Sequence, residues 1–182
     1  FKDTPLKETL STALDELQLD DEVNARLHLD IPLDGEMTTA KGDVTLNHNN
    51  LFIKPINSTV NDLRGKFSFV NGNLKSEPLQ ATWFNQPLNI DFTTTEGEKA
   101  YQVAVNLNGN WQPARTGVLP QQLNNALSGS FGWKGKVDID LPYRSGAKYA
   151  VNIDGDLTNI ASKLPPPMDK QPGKALPVKL KV

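Results

Sequence analysis

The chain of 182 residues contains no cysteine, which excludes disulfides, thiolate metal sites and cysteine nucleophiles. It has two histidines, His28 and His48. His28 falls on the polar side of an alternating strand pattern and His48 closes another beside an asparagine-rich stretch, so both read as surface residues. Neither is placed for a Ser-His-Asp triad, and no nucleophile-elbow motif is present. Charge of one sign is also missing. Nineteen Lys and Arg balance twenty-one Asp and Glu, and the basic residues are scattered, so no nucleic acid partner is expected. Uninterrupted apolar runs such as Leu51-Phe-Ile53 fall far short of the ~20 residues of a membrane-spanning helix. The carboxylate groups Asp20-Asp-Glu22, Asp138 with Asp140, and Asp154-Gly-Asp156 lack the spacing and closing Glu of a calcium loop. No glycine-rich phosphate loop follows a strand. Neither a metal nor a cofactor is expected, and the chain does not read as an enzyme.

What the chain does have is repetition. Leu27-His-Leu-Asp-Ile-Pro-Leu33 returns as Val137-Asp-Ile-Asp-Leu-Pro-Tyr143, and Leu10-Ser-Thr-Ala-Leu14 returns as Leu123-Asn-Asn-Ala-Leu127. A helix-then-strand unit used twice predicts a fold that grows by adding similar pieces, none of which buries its apolar face alone. The two units are expected over 1–115 and 116–182, the second truncated, joined in a continuous sheet. The chain begins at Phe1 and ends within the alternating Leu176-Pro-Val-Lys-Leu-Lys-Val182, so a piece of a longer protein is expected, with any anchor outside it.

Two helices are predicted. Over 5–17, Thr4 supplies a cap, Pro5 suits the first turn, and Leu6, Leu10, Leu14 and Leu17 share one face. Over 119–127, Pro120 opens the helix, Leu123, Ala126 and Leu127 make its stripe, and Gly129 follows its end. Most of the rest alternates with period two: Val23 to Ile31, Val44 with Leu46, Phe67 with Phe69, Leu79 to Trp83, Leu88 to Phe92, Tyr101 to Leu107, Val137 to Leu141, Tyr149 to Ile153, and Leu176 to Val182. Such alternation predicts antiparallel strands with one dry and one wet face. The seventeen asparagines cluster at Asn47-His-Asn-Asn50, Asn71-Gly-Asn73 and Asn106-Leu-Asn-Gly-Asn110, which read as tight turns. Arg144-Ser-Gly-Ala147 reads as another turn, and the proline-rich Leu164 to Pro172 as an extended loop. Trp83, Trp111 and Trp133 are expected in cores or at strand ends.

Asp62-Leu-Arg-Gly-Lys-Phe-Ser-Phe69, Leu74-Lys-Ser-Glu-Pro-Leu-Gln-Ala81 and Asn85-Gln-Pro-Leu-Asn-Ile90, with the Leu-Pro junctions at Asp30-Ile-Pro-Leu33, Asp140-Leu-Pro-Tyr143 and Gly173 to Val178, resemble the AsmA-like proteins of the Gram-negative envelope. The resemblance covers most of the chain. It implies a mainly β fold: an elongated, curled antiparallel sheet with an apolar groove and two short helices. It also implies a periplasmic segment of an inner-membrane-anchored protein that conducts phospholipids between inner and outer membranes. The partners would be phospholipid acyl chains, and the two membranes through parts of the parent protein outside this piece.

From the alternation, the candidate groove lining is Leu27, Leu29, Phe67, Phe69, Ile90, Phe92, Val103, Val105, Ile139 and Val151. Leu10, Leu14, Leu123 and Leu127 are candidates to cover the groove from the helices. The same alternation also fits a closed β-sandwich spacer. It fits as well an envelope scaffold that aids outer-membrane protein assembly by adding strands at an edge such as Leu176 to Val182, or a glycan-binding module using the tryptophans.

Overall fold

A computed structural model describes residues 17–20, 22–30, 39–143 and 145–182. Its strands are β1 (Leu17–Asp20), β2 (Asn24–Asp30), β3 (Thr39–Ile53), β4 (Ser58–Val70), β5 (Asn73–Ser76), β6 (Leu79–Trp83), β7 (Gln86–Glu96) and β8 (Ala100–Trp111), followed by a short helix, α1 (Gln121–Ala126). Then come β9 (Leu127–Ser128), β10 (Phe131–Pro142), β11 (Lys148–Asp156), β12 (Ala161–Ser162) and β13 (Pro177–Lys181). Eleven strands form one antiparallel sheet in the order β1-β3-β4-β5-β7-β8-β10-β11-β13, with β2 also on β3 and β6 pairing both β4 and β7. The fold is mainly β, as the alternation predicts. The helix expected over 5–17 lies outside the described residues, except that Leu17 belongs to β1.

Asparagine serves three different ends here, and only one is a turn. Asn71 turns β4 into β5 at φ 53°, and Asn57 and Asn85 do the same elsewhere at φ 46° and 57°. The expected turn at 106–110 is instead continuous strand within β8. Asn106 and Asn108 lie on the polar face and bond across strands: Asn106 Nδ2 donates to Asp91 Oδ1 (2.7 Å), and Asn89 Nδ2 to Asn108 Oδ1 (3.2 Å). The expected turn at 47–50 is a bulge inside β3, with His48 at φ 62°.

That bulge organises one half of the sheet. The β3–β4 register shifts between Leu46 and Asn49 and again between Asn49 and Leu51, and on β4 Asp62 also takes a positive φ of 56°. His48 Nδ1 pairs with Asp62, which Arg64 also engages at 2.8 Å. Bulges bend the strands that carry them, so β3 and β4 are creased at the same level. The strands flanking them are split there. The upper part of β3 pairs β2 and its lower part β1, while β4 pairs β5 above and β6 below. Asn49, fully buried, occupies the break. Its Nδ2 reaches the carbonyls of Asp20 (3.0 Å) and Glu22 (3.3 Å), and its Oδ1 accepts from the Asn47 amide (2.8 Å). Beneath the crease Leu46, Val60, Leu63, Leu79, Ala81, Leu88 and Ile90 pack as the buried core. Gly65, at φ 135°, has no room for a Cβ, which would meet the Leu79 side chain at 2.6 Å.

A small lobe hangs from the lower strand ends. In it α1 packs on the Pro113–Arg115 turn and on β9, which pairs with β12. The helix is shorter than expected because Leu127 is already extended (φ −106°, ψ 138°) and belongs to the β9–β12 ladder. The proline-rich loop is pinned back by Lys170, whose Nζ donates to the carbonyls of Thr158 (3.0 Å) and Ile160 (2.8 Å).

Replacing Asn49 by Ala strands two carbonyls and one amide in a buried break. Asn49→Ala is expected to lower the unfolding free energy by about 1–3 kcal/mol, read from urea denaturation. A change within error of zero would show that the crease holds without this side chain.

Candidate functional site

The cross-strand register assembles one apolar face. Ala25 pairs with Val44, Val44 with Phe67, and Phe67 with Ser76. Ser76 Oγ accepts the Phe92 amide (2.8 Å). Phe92 then pairs with Val105, Val105 with Val137, and Val137 with Val151, which exchanges backbone hydrogen bonds with Val182. This row crosses eight strands and ends at Val182, just past β13. A second row beside it runs Leu27, Gly42, Phe69, Leu74 and, on the far side, Thr94, Val103, Ile139 and Tyr149. A third runs Leu79, Ile90, Leu107, Gly135, Ile153 and Leu180. Because side chains alternate along a strand, paired residues share a face. All three rows are therefore on one side.

Nine of the ten residues read from the sequence fall on that side. Phe67, Phe92, Val105 and Val151 are in the first row, Leu27, Phe69, Val103 and Ile139 in the second, and Ile90 in the third. The backbone of the tenth, Leu29, pairs with Ala40 one step beyond Leu27. Their surroundings differ. Ile90 is buried in the core beneath the crease, Leu27 is 63% exposed, and Phe67, Val103, Val105, Ile139 and Val151 are half-buried. Phe67 and Phe92 lean together over the small Ser76, ring centroids 5.6 Å apart. From β8 to β13 no second sheet of comparable size faces the apolar side among the described residues. Of the residues expected to cover it, Leu10 and Leu14 lie outside the described residues. Leu123 is in α1 and Leu127 in β9, within the lobe.

The opposite face is polar. Asn89, Asn108, Lys134, Asp154 and Lys179 border a hollow of about 570 Å³ there. Its ion pairs, Lys136–Asp138 at 2.9 Å and Lys179–Asp154 at 3.7 Å, are exposed and contribute little stability. Among carboxylates, Asp156 is held below its ordinary range by the Thr158 side chain and amide, which both donate to it. His28 is exposed in β2. Among the described residues no group of three or more His, Asp or Glu is placed to hold a metal, and no helix is long and apolar enough to cross a membrane.

Both rims of the apolar face are tied by side chains, and at the lower rim these are the tryptophans expected in cores or at strand ends. At the upper strand ends, Tyr101 on β8 is 2% exposed and reaches over β7. Its hydroxyl donates to the Gly72 carbonyl (2.7 Å) and lies 2.6 Å from Thr94 Oγ1. The Tyr143 hydroxyl donates to the Gly97 carbonyl (2.9 Å). Successive hairpin tips are thus stitched together. At the lower ends Trp83, Phe84, Trp111 and Trp133 touch in sequence. All three tryptophans therefore lie on the apolar face, in a packed band. Burial, the largest influence, raises the Tyr101 hydroxyl above its ordinary pKa of 10.0; the Thr94 hydrogen bond opposes it and the Glu96 and Tyr143 charges add to it.

These features define an antiparallel sheet protein with one mainly apolar face and no metal-holding cluster among its described residues. The family model described as YhdP protein matches residues 1–182, and the chain belongs to that family. It is 65% identical over all of its 182 residues to the intermembrane phospholipid transporter YhdP of Escherichia coli K12, of which it spans 14% of the length. No solved structure matches it. The resemblance to AsmA-like proteins is borne out.

Tyr101→Phe is expected to cost about 0.5–1.5 kcal/mol for the lost donor. A raised folded pKa means that the native state keeps the tyrosine proton where the unfolded chain gives it up. This contribution is full below pH 10.0 and is lost as pH rises through the folded value. The alkaline limb of the stability profile should shrink in Tyr101→Phe, and an unchanged limb would remove Tyr101 as its source.

Proposed function

We propose that this chain is one stretch of a conduit that shields phospholipid acyl chains on their way between two membranes. One observation carries the reading: a row, apolar except at Ser76, that runs in one register from Ala25 through eight strands to Val182, half-buried from Phe92 to Val151 and without a facing sheet of like size over β8–β13. At ~4.8 Å per strand, its eight steps extend roughly 38 Å. A leaflet's share of a ~30 Å hydrocarbon core is about 15 Å, so the row is longer than a lipid tail. Two acyl chains carry about thirty methylenes, and exposing them to water costs roughly 25 kcal/mol at ~0.8 kcal/mol each. A continuous dry face removes most of that barrier without any bond chemistry. The Escherichia coli relative, an intermembrane phospholipid transporter, agrees in ligand class.

In this reading the ten residues line the trough, and Leu10, Leu14, Leu123 and Leu127 belong to helices that cover or bound it. Units 1–115 and 116–182 join through the β8–β10 ladder. The segment lies in the periplasm, in a parent protein anchored in the inner membrane and reaching both membranes through its other parts. It works without a cofactor and catalyses no reaction.

Native mass spectrometry of gently purified protein tests this. Stoichiometric phospholipid is expected on the wild-type chain. Val105→Asp and Val151→Asp should each lose at least about tenfold of it, since a buried charge beside an acyl chain costs more than the ~1.4 kcal/mol that a tenfold loss represents, while keeping the circular dichroism of the folded sheet. A lipid-free, stable wild-type protein, or lipid unchanged in both variants, would overturn the conduit.

A further inference from the structure

The lower rim places the chain's three tryptophans side by side. Trp83 stacks on Phe84 with centroids 4.7 Å apart, Trp111 meets both edge-on, and Trp133 meets Trp111 at 4.7 Å and 68°. Tryptophan combines an apolar body with one polar N–H, which suits the level where hydrocarbon gives way to ester and phosphate groups. Two of the three N–H groups are used. Trp83 Nε1 donates to Ser58 Oγ (2.8 Å), and Trp111 Nε1 to the Pro87 carbonyl (2.7 Å). The third is not. Trp133 is 8% exposed, and its Nε1 is buried with no acceptor among the described residues. Its strand partner Gly109 gives the indole room, since a Cβ there would lie 3.0 Å from Nε1, and neither Gly109 nor the other partner, Gly155, offers a side-chain acceptor. Leaving a buried donor unmade is costly, and a phenylalanine would place an aromatic ring there without that cost.

We propose that Trp133 is a lipid-contacting donor. Its indole N–H engages an acceptor oxygen of a diacyl phospholipid, an ester carbonyl or a phosphate oxygen, while the acyl chains lie over the valine row of β8, β10 and β11. The inference rests on the conduit reading and adds an orientation to it: the glycerol end of the lipid faces the aromatic rim. The indole gives up its edge contact with Trp111 as it turns to the ligand. The tyrosine hydroxyls named at the upper rim offer no equivalent, since Tyr101 and Tyr143 already donate to the carbonyls of Gly72 and Gly97.

All three tryptophans lie in this band, so intrinsic fluorescence reports on it directly. Phospholipids brominated near the ester end of their chains should quench it more than those brominated near the methyl end. Trp133→Phe removes the N–H and keeps a ring, and it should weaken binding of a diacyl phosphatidylglycerol by roughly three- to tenfold. Trp83→Phe, which removes an N–H already used within the fold, should leave that affinity unchanged. If Trp133→Phe spares the diether analogue, the acceptor is the ester carbonyl; if it weakens both lipids, the acceptor is a phosphate oxygen, and either result supports the assignment. Both lipids bound equally by Trp133→Phe and wild type, or stronger quenching from the methyl end, would overturn the orientation and leave the conduit standing. Wild-type protein that binds neither lipid would overturn both. Should Trp133→Phe fail to fold, the quenching order on the wild-type chain decides the orientation.

Discussion

The structure depends on register. An apolar face that crosses eight strands exists only while every pair of neighbours keeps the same parity, because a slip by one residue at any ladder moves all the apolar side chains beyond it to the wet face. The register is fixed most firmly where β8, β10 and β11 meet. The twelve-residue β8 and β10 pair along their full length, and Val105, Val137 and Val151 stand opposite one another. Charged and amide side chains fill the other parity, so both faces oppose a slip. The β5–β7 ladder is the weak place, with the single pair Lys75–Thr93. There side chains substitute for backbone: Ser76 Oγ takes the Phe92 amide, Thr94 Oγ1 the Leu74 amide, and Asn73 Oδ1 the Glu96 amide.

Much of this architecture is legible in the sequence because period-two alternation is a direct record of a two-sided sheet. Spacing alone puts Leu27, Phe69, Val103 and Ile139 each on the dry side of its own strand, and the structure puts them in one row. Spacing could not say which strand neighbours which, so the continuity of the rows was not readable. Nor could it separate Ile90, sealed beneath the crease, from Val151, half-open on the plain part of the sheet. Asparagine misled for a physical reason. It tolerates positive φ, which makes it a turn residue, yet Asn106 and Asn108 are there for cross-strand amide bonds, and Asn49 for the carbonyls of a broken edge. Composition cannot distinguish these uses. The tying roles of Tyr101 and Lys170 are not legible in the sequence, because their partners are backbone carbonyls, which leave no mark there.

The polar and apolar faces divide the work. Amide pairs on the polar face contribute register, while the apolar face contributes buried area and leaves apolar surface over. A self-sufficient globular domain would cover that surplus with a second layer.

The crease has a mechanical consequence. β8, β10 and β11 pair without a register break and bend together as a plate. β3 and β4 carry facing bulges at His48 and Asp62, and each is flanked by two short strands instead of one long one. Rotation about that line strains few ladder hydrogen bonds, because the ladder is already interrupted there. A sheet with one plain half and one creased half can change its curvature at the crease, whereas an uninterrupted sheet would have to shear. Pliancy and strand pairing are thereby assigned to different residues: the crease can bend while the long β8–β10 and β10–β11 ladders stay paired.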